Sequence, residues 1–164
     1  MLKTVITENL LKALIEYSEK ISLKYTIDLE ELKNIIFNYI NNGYNDDKYS
    51  IETLKKRFIT YYDYRLSTHD ICNIYKIKIR DPNFPEDISE NIIKFIIRRL
   101  DNDPSCYWKG GKDLYSYKGF LECKCFTTDG PISFSPSSNW DFIYFLDATK
   151  WREKKFKLYK FTSC

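Results

Sequence analysis

Three observations predict an α+β fold for this chain of 164 residues. Apolar residues recur at helical spacing through the first part of the chain, a capped amphipathic helix follows a proline-bracketed turn, and short apolar strands alternate with polar turns thereafter. The expected architecture is an α/β/α-like core, a mixed central β-sheet flanked by helices. Residues 1–80 are expected to form a helical N-terminal region suited to recognition or dimerisation, and residues 81–164 the core itself.

Taken in order, Thr7 starts a first helix with Leu10, Leu11, Leu14, Ile15 and Ile21 on its apolar side. Asp28 is placed to cap a second, in which Leu29, Leu32, Ile35, Ile36, Tyr39 and Ile40 share a side. Ser50 caps a third with Ile51, Leu54, Phe58 and Tyr61, and Ser67 or Thr68 starts a short fourth through Ile71 and Ile74. The last two have the spacing of a helix-turn-helix, a spacing that plain bundles share. His69 reads as a helix-start residue rather than a catalytic base. Asp81-Pro82-Asn83-Phe84-Pro85 is turn chemistry and marks the internal boundary. Beyond it, Asp87-Ile88-Ser89-Glu90 matches a capping box with Asp87 as N-cap and Glu90 three residues on. Ile88, Ile92, Ile93, Ile96, Ile97 and Leu100 give that helix a broad apolar side for the sheet.

A hydrophobic fraction of 43% and an aromatic fraction of 17% argue for a folded chain rather than a disordered one. No stretch has the apolar length of a membrane span, and the opening MLKTVITENLLK is polar where a signal-peptide core would lie. A cytoplasmic protein, or a host-intracellular one if viral, with no membrane partner is expected. Cys72, Cys106, Cys123, Cys125 and Cys164 form no even secreted framework. Cys123 and Cys125 read as small packing residues in a reducing cytosol, with a zinc site formed by these two cysteines together with Cys106 and His69 as the lesser alternative.

Chemistry concentrates in residues 113–126, DLYSYKGFLECKCF. Lys118-Gly119 reads as the two-residue loop of a hairpin, which sets Tyr117 opposite Phe120, Tyr115 opposite Glu122 and Asp113 opposite Lys124. Side chains alternate along a strand, so Glu122 and Lys124 face one way while Leu121, Cys123 and Cys125 face the apolar side. Two carboxylates beside one lysine repel more than Lys124 can offset. A hard cation such as Mg²⁺, which takes oxygen ligands and keeps waters that a phosphate can displace, relieves that repulsion. The alternative is a solvated face where Asp113 and Glu122 pair with Lys112, Lys118 or Lys124.

Residues 150–160 (KWREKKFKLYK) hold six basic residues against one acid. Lys155 and Lys157 alternate with Phe156 and Leu158 as on an amphipathic strand, whose basic face either tracks phosphates or guards a sheet edge against aggregation. Ser133, Ser135, Ser138 and Asn139 crowd the approach to Trp140, polar enough for base edges and phosphates or for plain solvent. Ile143 to Leu146 reads as a buried strand.

On Asp113 and on Glu122-Cys123-Lys124, the chain resembles the PD-(D/E)xK nuclease superfamily, and within it the small type II restriction endonucleases. Lys112 stands where that family often has proline. The run GPISFSP at 130–136, with Trp140 and FIYFLD at 142–147, is similar to a branch of restriction enzymes with an ECK-type strand, so the likeness spans residues 85–160. It implies Asp113, Glu122 and Lys124 as catalytic residues. Glu90 then stands as a further acid from the preceding helix, beside its capping role, with Glu86 as fallback. Asp113, Glu122 and the backbone carbonyl of Cys123 would hold Mg²⁺, and Lys124 would orient the attacking water. The implied activity is site-specific hydrolysis of double-stranded DNA to 5′-phosphate ends, with Lys112, Ser133, Ser135, Ser138, Asn139, Lys155 and Lys157 against the DNA. A homodimer is implied, as is a methyltransferase acting on the same site without forming a stable complex. A repair, recombination or structure-directed nuclease, and a non-catalytic DNA-binding protein, stay open beside this reading.

Overall fold

The computed structural model describes residues 4–6, 21–39, 47–79, 82–109, 113–128, 132–134 and 140–162. Among them a mixed sheet of six strands and three helices gives the α+β class. The helix expected from Thr7 falls mainly outside the described residues, and its end is corrected: Ile21–Asp28 is a strand, β2. ISLKYTID alternates apolar and polar strictly, the period of a strand with one face inward.

At Asp28 the chain turns from strand to helix. The Asp28 carboxylate accepts the Glu31 backbone N–H at 2.8 Å and caps α1 (Leu29–Phe37), which buries Leu29, Leu32, Ile35 and Ile36 as expected. Ser50 caps α2 (Ile51–Ile74), its hydroxyl accepting the Thr53 N–H at 3.2 Å. The helix pair expected on either side of Ser67 is one unbroken helix. Ser67 and Thr68 are weak helix formers but not breakers, and no glycine or proline interrupts residues 51–74. No helix-turn-helix therefore exists in this stretch.

α3 (Glu86–Leu100) is the centre of the molecule. Every residue from Ile88 to Arg98 is buried, because the helix packs on the sheet with one side and on α1 and α2 with another. Its N-cap is Pro85, with no side-chain cap. The expected capping box is corrected, since the Asp87 carboxylate pairs with Arg57 of α2 and Glu90 lies inside the helix.

The sheet runs β2, β8 (Lys155–Thr162), β7 (Phe142–Asp147), β5 (Gly119–Phe126), β4 (Leu114–Ser116), β3 (Tyr107–Trp108). Only β5 and β7 pair in parallel; the other neighbours are antiparallel. β8 is an inner strand, which corrects the edge-strand alternative for Lys155 and Lys157. Two short strands, β1 (Thr4–Ile6) and β6 (Ile132–Phe134), pair separately. No helix among the described residues is long and apolar enough to cross a membrane.

Candidate active site

The hairpin register differs from expectation by two residues. Leu114 pairs with Leu121, Tyr115 with Phe120 and Ser116 with Gly119, so the loop is Tyr117-Lys118. Gly119 opens β5 at φ +127°, and a Cβ there would collide with the Asp141 carboxylate, which accepts the Phe120 N–H at 2.9 Å. A slip of two preserves the face of every side chain. Its effect is to bring Asp113 alongside Glu122 instead of Lys124.

Among the described residues β4 pairs with β5 only as far as Leu114, leaving a notch along the rest of β5. Asp113 lies at its top, where Oδ2 accepts the Cys123 N–H at 2.5 Å. Asn83 lies at its bottom, where Nδ2 donates to the Cys125 carbonyl at 2.7 Å. The N–H and C=O of one strand residue point to the same side, so the Cys123 carbonyl also faces the notch. The acids reach this opening from both faces of the sheet. Glu90 comes from α3 with Cys123 beneath it, while Glu122 and Lys124 share the opposite face with Ile143 and Phe145 of β7.

Glu90 is 8% exposed; its Oε2 accepts the indole Nε1–H of Trp108 at 2.8 Å, and its carboxyl hydrogen-bonds Asp113. Burial pushes the Glu90 carboxyl up to about 8, the Asp113 charge adds to this, the Trp108 indole opposes it, and the Glu86 charge raises it further. Glu122 is also raised, first by burial and then by Asp113, against Lys124, whose Nζ is 3.4 Å from Glu122 Oε1. The notch is thus short of positive charge.

Among the described residues no three His, Cys, Asp or Glu side chains form a ready cage. Asp113 gives an oxygen to Cys123 and Glu90 gives one to Trp108. The donor set nevertheless suits Mg²⁺, which binds through one or two carboxylates and otherwise keeps water and phosphate oxygens. Asp113, Glu122 and the Cys123 carbonyl are all hard oxygen donors around excess negative charge.

Lys155 and Lys157 are exposed on β8. The register Phe126↔Asp147↔Lys157 sets Lys157 on the Glu122 and Lys124 face, two strands across from β5, roughly 10 Å at ordinary strand spacing. With Thr26, Thr149 and Lys150 these lysines line a groove of about 470 Å³ that also holds Asp147 and Glu153. Lys112, Ser135, Ser138 and Asn139 lie outside the described residues; Ser133 is placed in β6 opposite Val5. Sequence reasoning missed Asn83, taken only as a turn residue, and Trp108. A buried tryptophan needs an acceptor for its N–H, which was the available signal. No protein-family model, curated protein or solved structure matches this chain.

Proposed function

We propose that the protein is a Mg²⁺-dependent endonuclease that hydrolyses phosphodiester bonds of double-stranded DNA at specific sites and leaves 5′-phosphate ends. The observation that carries this reading is the gathering of Glu90, Asp113, Glu122 and Lys124 at the open edge of β5. Asp113, Glu122 and the Cys123 carbonyl are the residues to hold the cation. When bound, Mg²⁺ supplies Lewis-acid polarisation of the scissile phosphate and neutralises its charge. Lys124 orients the attacking water and steadies the negative charge that develops on the phosphate oxygens. Glu90 holds its proton against Asp113 at neutral pH and gives it up as positive charge enters. Lys155 and Lys157 hold the DNA backbone, and a two-fold dimer would present the notch twice to symmetric half-sites. A cognate methyltransferase, acting separately on the same sequence, fits such an enzyme.

A second reading keeps the chemistry but drops sequence preference, giving a repair or structure-directed nuclease. The unbroken α2, which offers no helix pair to a groove, favours it. Incubation with plasmid, flapped and single-stranded DNA, with Mg²⁺ or EDTA, separates the two. Discrete Mg²⁺-dependent fragments are expected from plasmid, and Lys124→Ala, Asp113→Asn and Glu122→Gln should each lower the rate at least about 100-fold with melting temperature retained. A Lys124→Ala protein that cuts at the wild-type rate would overturn the assignment.

A further inference from the structure

We propose that Asp47 is a positioning residue of the acidic notch, acting through Trp108 to fix the carboxylate of Glu90. The inference rests on the cation-dependent reading above, but a separate set of contacts carries it. The Asp47 side chain is fully buried. Its Oδ1 accepts the Trp108 backbone N–H at 2.8 Å, and its Oδ2 accepts Lys94 Nζ at 3.0 Å and Arg98 Nη2 at 3.1 Å. Lys48 N–H donates to the Trp108 carbonyl at 2.9 Å, so Asp47-Lys48 grips both backbone polar groups of that residue. The Tyr49 ring lies 5.6 Å from the Trp108 ring, and the indole N–H is left to point at Glu90.

The cluster beneath is costly as a source of stability. Two cations and one acid are buried together, and apolar side chains of the same volume would serve the core as well. What the charged set adds is direction. Lys94 is held on α3 by Asn91 Oδ1 at 2.9 Å and Arg98 by the Cys106 carbonyl at 2.6 Å, so Asp47 is pinned from α3, and Trp108 from Asp47. Glu90 lies one turn before Lys94 on the same helix, which closes a loop from α3 through Asp47 and Trp108 back to α3. A carboxylate held this way keeps its place when a cation draws on the notch, and its partners count among the contacts that tune metal affinity.

The test reads Mn²⁺ binding to the full chain by isothermal titration, with cleavage alongside. Trp108→Phe keeps the ring and removes the N–H; Glu90 hydrogen-bonds Asp113, one of the residues to hold the cation, so the Mn²⁺ dissociation constant should rise about tenfold. Asp47→Ala should match that loss, and so should Asp47→Asn, whose single oxygen cannot serve both the Trp108 N–H and the Lys94 and Arg98 cations. The Asp47→Ala/Trp108→Phe pair should lose no more than either single change. In cleavage, the Mg²⁺ concentration at half-maximal rate should rise by the same factor while KM for DNA stays unchanged. Unchanged Mn²⁺ affinity in Trp108→Phe overturns the relay, even if Asp47→Ala fails to fold, and so do additive losses in the double variant. Wild-type protein that binds Mn²⁺ but cuts no DNA removes the nuclease reading and leaves the relay standing. Wild-type protein that binds no Mn²⁺ removes both.

Discussion

In the cation-free protein Glu90 keeps a proton that the unfolded chain releases. Its carboxyl moves from 4.5 to about 8 on folding, through burial first and Asp113 second. Below that window both states are protonated and above it neither is. Within it the native state binds more protons, so this contribution to stability is lost as pH rises from about 4.5 to 8. Lys94 acts with the opposite sign at higher pH: burial, with Arg98 beside it, lowers its ammonium from 10.5 to about 7 against the pull of Asp47. Between those values the unfolded chain binds the extra proton, and stability rises with pH. Thermal melts without divalent cation should therefore decline from about pH 5 to 7 and level off between about 7 and 8, where Lys94 offsets Glu90, with the decline flattened in Glu90→Gln and countered by Mg²⁺. A full decline in Glu90→Gln would remove Glu90 as its source. The motif Asp-Ile-Ser-Glu at residues 87–90 could not disclose this role. It reads as a local cap, and only Arg57, thirty residues back, takes Asp87 out of that part.

Elements whose signal is local are legible in the sequence. Asp28 and Ser50 cap where their spacing places them, α3 presents the expected apolar side, and β5 and β7 are strands where aromatic and β-branched residues cluster. Two elements are obscured because a neighbouring pattern runs into them. The leucine and isoleucine spacing after Thr7 extends in register to Ile21 and hides the alternation that makes β2. The polar run Ser67-Thr68-His69-Asp70 looks like a turn, yet packing of Ile51, Leu54, Phe58, Tyr62 and Arg65 along one side sustains α2 ahead of it. Ser67→Pro distinguishes the two cases. In a helix interior it should cost about 3 kcal/mol or more in denaturant unfolding, whereas at the start of a second helix proline would be nearly neutral. A hairpin displaced by two residues leaves Glu122 and Lys124 on the expected face, because side-chain period in a strand is also two.

Taken whole, the molecule sets its acids at the β5 edge and its exposed lysines two strands across on the same face. If Lys155 and Lys157 each meet a DNA phosphate, Lys155→Ala/Lys157→Ala should reduce the slope of log affinity against log salt by about 2, measured by anisotropy with Ca²⁺. Single-turnover cleavage of bound DNA should be unchanged, and an unaltered slope would place both lysines off the backbone. Asp47 is invisible in the sequence for a reason of scale: its partners Lys94, Arg98 and Trp108 lie 47, 51 and 61 residues away, beyond any spacing rule. The sheet extends the same point to assembly in time. β2 is synthesised before its one strand partner among the described residues, β8, which lies on the order of 130 residues later, so loop closure must precede any reward for that pairing. Until β8 arrives, the nascent chain carries an alternating strand that lacks this partner. β2 is then a segment open to capture by other chains until its pairing with β8 closes that side of the sheet.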